Sequence, residues 1–313
     1  MPYWDIVTRS FRIAWNRKYL WLLALFSGEA STGFNFNYSQ GSRSANPDVA
    51  SMQQQIQAWV QDNAGLIVLI FVLWIVLFVA LFILAAVCEG ATIRASAEHD
   101  ADRPFGLRLA WRMGVHTVWV IVRFRLLLVA LYLPLLLLFA AWVVGLVAAI
   151  AKGDGGAVAL LALTGLLLLL LGLVYGTYVY FLDRLGARAI VLEERKAAAG
   201  LARAHRLLLK RFWRSILVLL LAIAIALVTG IVLGCFAAIV GLPFAIAIAA
   251  SGGAAFWPLF VIGVVILLPV YLVVGGFLAA QGSTYWTLAF RRLDVDYAPA
   301  YGYPAMPPPA PQQ

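Results

Sequence analysis

The sequence is poor in charge and in the side chains that do chemistry. Only 12% of its 313 residues are Asp, Glu, Lys or Arg, and it carries three histidines and two cysteines. A metal centre needs clustered His, Cys and carboxylates at spacings that a helix or turn can present together. His99, His116 and His205 stand apart, and neither HExxH nor CxxC occurs. There is also no G-x-S-x-G nucleophile elbow, no Walker A loop and no pair of intramembrane catalytic Ser or Asp residues. These absences argue against an enzyme and imply no cofactor. No polar stretch is long enough to enclose a soluble catalytic domain of its own.

Apolar residues fill the space that charge leaves. They make up 64% of the chain, with a mean hydropathy of +0.93, against roughly 45–50% in soluble globular proteins. Five windows, 66–87, 126–150, 157–182, 216–240 and 256–280, are long enough to cross a bilayer. Backbone groups in lipid must pair within their own segment, and no alternating barrel pattern is present, so the spans are predicted to be helices. The fold class is therefore all-α and polytopic, one integral membrane domain over 1–296.

A sixth segment, 19–38, is undecided by hydropathy. Its apolar heart, 20–26, is short, and Gly28, Glu29, Ser31 and Thr32 follow within the required length. Charge favours a crossing: with six spans, every Lys and Arg except Arg43 and Lys152 falls on one side, as the positive-inside rule demands. Both termini are then cytoplasmic. A cleaved signal peptide is the alternative reading, since a basic start and the small residues Ser27, Gly28 and Ala30 flank the apolar heart.

That topology accounts for the net charge of +9 without nucleic acid as a partner. It also sets a basic surface beside a leaflet of anionic lipid, with attraction of about 1 kcal/mol per basic group close to that surface. Cys88 and Cys235 fall near opposite membrane faces, too far apart for a disulfide.

Three stretches, 5–94, 104–188 and 200–290, share one plan in which a basic amphipathic segment feeds an outgoing span and a second span returns. Sliding the chain by 94 residues aligns Glu89 with Asp183, Arg94 with Arg188 and Arg112 with Arg206. A parallel threefold arrangement about the membrane normal would follow. Leu201, Ala204, Leu208 and Phe212 recur at helical spacing opposite Arg203, Arg206 and Lys210, and Leu107, Trp111, Val115 and Val118 recur likewise in 105–125. Both segments read as interfacial helices. Arg112, Arg203, Arg206, Lys210 and Arg211 are the candidate contacts for anionic lipid, weighed against the simpler role of fixing topology.

Glu89 and Asp183 stand at span exits, each followed five residues on by an arginine, Arg94 or Arg188. Structural ion pairs, Glu89 with Arg94 and Asp183 with Arg188, are the expectation, with an ion or lipid gate as the sharper reading. Pro134, Pro243, Pro258 and Pro269 interrupt or flank spans, while Gly172-x-x-x-Gly176 and Gly230-x-x-x-Gly234 offer small faces expected to pack helices. The polar segment 28–64 reads as an external loop, and 297–313, rich in Tyr and Pro, as a disordered cytoplasmic tail.

The span exit Gly186-Ala187-Arg188-Ala189 leads into Ala189-Ile190-Val191-Leu192-Glu193-Glu194 and then Gly200-Leu201-x-Arg203-Ala204. The closing motif is Tyr285-Trp286-x-Leu288-Ala289-Phe290-Arg291-Arg292. Together these resemble a broad group of uncharacterised bacterial polytopic membrane proteins. That group is similar to the membrane domain of some glycerophosphodiester phosphodiesterases. The resemblance implies a multi-pass protein of the bacterial inner membrane. In those enzymes a separate soluble barrel supplies the metal-binding His and Glu; nothing in this sequence corresponds to it, so hydrolysis does not carry over. The expectation is a non-enzymatic integral membrane protein that binds or organises lipids or partner proteins, with a transporter or lipid-translocating protein as the alternative.

Overall fold

The computed structural model describes residues 2–27, 59–61, 63–251 and 256–294. The external loop, over 28–58, and the tail, over 297–313, lie outside the described residues. Eight helices among the described residues carry the fold: α1 (Pro2–Asn16), α2 (Tyr19–Phe26), α3 (Ala64–Asp100), α4 (Leu107–Ala151), α5 (Gly155–Glu193), α6 (Ala197–Lys210), α7 (Phe212–Ala250) and α8 (Phe256–Leu293). No strand occurs among the described residues.

The five long helices are apolar and long enough to cross a membrane, and their most apolar windows are at most 6% buried by protein. Such surface is stable only against lipid, so the chain is an all-α multi-pass membrane protein. At about 1.5 Å per residue, 37 residues of α3 extend about 55 Å, well beyond a hydrocarbon core of about 30 Å. The surplus of each helix lies at one end, where α3, α5 and α8 finish and α4, α6 and α7 begin.

Those ends form the core. In α3 every residue from Ala86 to Ser96 is buried, in α5 every residue from Leu185 to Leu192, and in α8 every residue from Ser283 to Phe290. Unbroken burial means that each of these ends is surrounded on all sides, which small residues permit. A Cβ on Gly114 of α4 would lie 2.3 Å from the Val87 carbonyl oxygen of α3, and one on Gly186 of α5 would lie 2.6 Å from the Phe124 ring. Within the apolar runs, Gly165 of α5 likewise admits the Trp142 ring of α4, at 2.5 Å from a Cβ there. Gly172, Gly176, Gly230 and Gly234, expected to pack, meet nothing within 4 Å.

Turn chemistry fixes the reversals. Gly153 adopts a φ of +68°, and the Asp154 side chain then accepts a hydrogen bond from the Ala157 amide to start α5. Asp102 and Glu194, at φ 54° and 53°, end α3 and α5 in the left-handed region.

One sequence expectation changes, and another falls partly outside the described residues. α2 spans eight residues, and from 28 on the segment 19–38 lies outside the described residues; Leu20, Leu23 and Ala24 are buried among α3 and α8. The amphipathic segment over 105–125 is continuous with its span as α4, whereas α6 breaks from α7 at Arg211. Pro134 lies inside α4, and Tyr175 of α5 donates to the Leu131 carbonyl three residues before it.

Candidate functional site

Glu89 and Asp183 converge on a single guanidinium. Arg125 of α4 binds Glu89 at 2.8 Å and Asp183 at 3.4 Å, with the Glu89 side chain only 2% exposed. The arginine five residues on from each carboxylate lies about 140° around the helix. Arg94 pairs with Glu98 at 3.3 Å, one helical turn away, and donates to the Val191 carbonyl of α5. Arg188, fully buried, donates to the Arg184 carbonyl at 3.1 Å and to the Ser283 carbonyl of α8 at 3.4 Å.

The candidate lipid contacts divide. Arg203 is half-buried, at 3.3 Å from Glu193 and 2.5 Å from Asp294. Burial opposes its charge, but the two carboxylates outweigh that and raise its pKa above the ordinary value. Arg203 therefore ties α6 to the end of α8. Arg112, Arg206 and Lys210 are exposed and Arg211 half-buried, so these keep faces turned outward.

One concavity was not anticipated. A cleft of about 360 Å³ lies between α5, α7 and α8, a size within the usual range of small-molecule sites. α7 rests mainly on α8 and leans away from α5, which opens the space. The depth of each residue follows from helix direction. Arg184 and Gln281 stand where the apolar runs of α5 and α8 give way to the core, with Leu278 beside them, while Gly230, Leu233, Gly234 and Ala237 lie farther along the apolar window of α7.

Polarity therefore grades along the cleft. At its polar end the Arg184 guanidinium sits 5.3 Å from the centre of the Tyr180 ring, a cation over an aromatic face. Gln281 donates to Ser10 of α1 at 3.3 Å, Tyr285 donates to the Val218 carbonyl at 2.7 Å, and the Trp286 ring meets that of Tyr180 edge-on. The walls are thus fixed by contacts to other helices. At the apolar end Gly230 and Gly234 remove side chains from one wall, and the space they leave is cleft rather than helix contact.

Two of the histidines meet tyrosine hydroxyls. His205 Nδ1 lies 2.8 Å from the Tyr178 hydroxyl, His99 Nε2 lies 2.5 Å from that of Tyr19, and His116 is exposed. No cluster of three or more His, Cys, Asp or Glu that could hold a metal occurs among the described residues. Sequence reasoning passed over Tyr180, Arg184 and Gln281; the one signal was the adjacent charge pair Asp183-Arg184 at a span exit, of which α5 sends Asp183 toward α4 and Arg184 toward α7.

No curated protein and no solved structure matches the chain. A family model matches residues 7–289, nearly the whole helical domain including both the core and the cleft, and the chain belongs to that family of unknown function (DUF7544).

Proposed function

We propose that this protein is a non-enzymatic, lipid-binding protein of the bacterial inner membrane, and that the cleft between α5, α7 and α8 holds a single lipid. The observation that carries the proposal is the polarity gradient. A cation and a carboxamide, Arg184 and Gln281, stand at the core end, and a glycine-relieved apolar slot runs from them toward the bilayer centre. An anionic headgroup at Arg184 with an acyl chain along Gly230 and Gly234 matches both ends. The exposed Arg112, Arg206 and Lys210 then face the headgroups of the surrounding leaflet without selecting one lipid. The resemblance to a membrane domain of glycerophosphodiester phosphodiesterases is compatible with this reading and adds no catalytic residue to it.

The test is mass spectrometry of lipids retained by the protein purified in mild detergent. Arg184→Gln and Gly234→Phe should each abolish retention of an enriched anionic lipid, while Arg206→Gln should not. Bulk-like lipid in the native protein, or equal retention in all variants, would overturn the proposal. Transport is the second reading, favoured by the Glu89–Arg125–Asp183 link buried at the span exits; loss of lipid or ion flux in Asp183→Asn vesicles, with lipid retention intact, would favour it.

A further inference from the structure

A second concavity lies away from the cleft, where the elbow between α1 and α2 meets the turn between α3 and α4. It encloses about 340 Å³ and is lined by Arg12, Asn16, Arg17, His99, Asp102 and Arg103, with two further contacts. Its charge is unbalanced for a structural reason. The carboxylates nearby are committed to other cations: Asp100 to Arg9 and Arg291, and Glu98 to Arg94 and Arg103. Asp102 remains, but its side chain is 90% exposed and its cation is Arg9, at 3.7 Å. Arg12 and Arg17 form no ion pair among the described residues, and both are exposed.

We infer that this pocket binds a phosphate-bearing anion through the guanidinium groups of Arg12 and Arg17. A guanidinium presents a planar fork of donors that matches phosphate oxygens two at a time, which an ammonium does not. Asn16 adds an amide donor beside them. The floor is firm: His99 is buried and held by Tyr19, whose hydroxyl also donates to the Phe105 carbonyl at 3.3 Å. The field of Arg17 reaches that floor, since it acts to lower the pKa of both His99 and Tyr19. The volume exceeds that of a bare phosphate, leaving room for the group that carries it. Two sources supply such chemistry at this end of the molecule, a phospholipid headgroup and a soluble phosphate compound.

The experiment is calorimetric titration of the full chain in neutral detergent with inorganic pyrophosphate. Arg12→Gln combined with Arg17→Gln should weaken binding at least tenfold, and Arg108→Gln, an exposed arginine outside the pocket, should leave it unchanged. Equal affinity in native protein and double variant, or no binding by native protein, overturns the inference. Matched thermal unfolding midpoints establish that the double variant is folded. Repeating the titration in nanodiscs separates the sources: pyrophosphate binding suppressed by phosphatidic acid but not by phosphatidylcholine assigns the pocket to a lipid headgroup, and binding preserved in both assigns it to a soluble phosphate.

Discussion

Arg94 and Arg188 occupy corresponding places on two returning helices, and each donates to a backbone carbonyl of the next returning helix along the chain. Arg94 of α3 reaches Val191 of α5, and Arg188 of α5 reaches Ser283 of α8. α8 closes the ring through Arg291, which donates to the Ala97 carbonyl of α3, and through Thr284 against Ser96 at 3.0 Å. Three parallel helices are thereby tied around one centre by buried polar groups. Such groups are costly to bury unless satisfied, so they specify register more than they add stability. Arg188→Ala should therefore lower the unfolding midpoint sharply, since it removes packing and donors together. Arg188→Met, which keeps the volume, should recover most of the loss in the same thermal melt in detergent.

The link through Arg125 predicts an asymmetric response. Arg125→Leu removes the guanidinium from both Glu89 and Asp183 and should cost about 3–5 kcal/mol, the usual penalty for breaking a buried ion pair from one side. Combining it with Glu89→Gln should restore part of that, because the charge most deeply buried is then gone. Chemical unfolding monitored by tryptophan fluorescence reads both; a double variant no more stable than Arg125→Leu would show that Glu89 is not the buried charge that matters.

Glycine substitutions separate two kinds of site that share one residue type. Gly114→Ala places a methyl 2.3 Å from a backbone oxygen that cannot step aside, so the α3–α4 crossing must open, at about 1–3 kcal/mol. Gly172→Ala meets nothing and should be neutral or favourable by up to about 1 kcal/mol through helix propensity. Thermal unfolding of the two single variants under identical detergent checks the order.

Much of the fold was legible because its signals are local. Twenty-residue apolar windows mark the spans, and the direction of basic residues marks the common end. Pairing was not legible. Glu89 and Arg94 are close in sequence but diverge around the helix, and Arg125 becomes the neighbour of Glu89 only when α4 crosses α3 at Gly114. Likewise Arg203 looks solvent-facing on an amphipathic α6 until Asp294, at the far end of the chain, is brought beside it. The cleft was hidden for a related reason: Gly230-x-x-x-Gly234 reads as a packing face unless the next helix is known to lean away.

Acid should loosen the α2–α3 contact. Burial, assisted by Arg17, lowers the pKa of His99 below its ordinary 6.5, so the folded state holds it neutral while the unfolded chain binds a proton more readily. Its contribution is full above pH 6.5 and is lost as pH falls through that value toward the lower folded pKa. The groups facing the ring are Tyr19, Arg17, Arg12, Arg103 and Asp102. Burial pushes Tyr19 up to about 12 against the pull of Arg17, so it stays protonated throughout this window. Unfolding midpoints measured from pH 8 to pH 5 should fall less steeply in His99→Gln than in the native protein.

Orientation is testable at the two turns that flank α5. Lys152 lies at the turn joining α4 to α5 and Glu194 at the opposite end of the same helix, beyond the core. If the basic end is cytoplasmic, as the distribution of Lys and Arg argues, these positions are on opposite sides of the membrane. With Cys88→Ala and Cys235→Ala as background, Lys152→Cys should react with a membrane-impermeant maleimide in intact cells. Glu194→Cys should react only after the membrane is opened. The reverse pattern would place the arginine-rich core outside, where the leaflet offers less anionic lipid, and would remove the electrostatic basis for headgroup recognition at that end. Labelling of both positions in intact cells would instead contradict a membrane crossing by α5 itself.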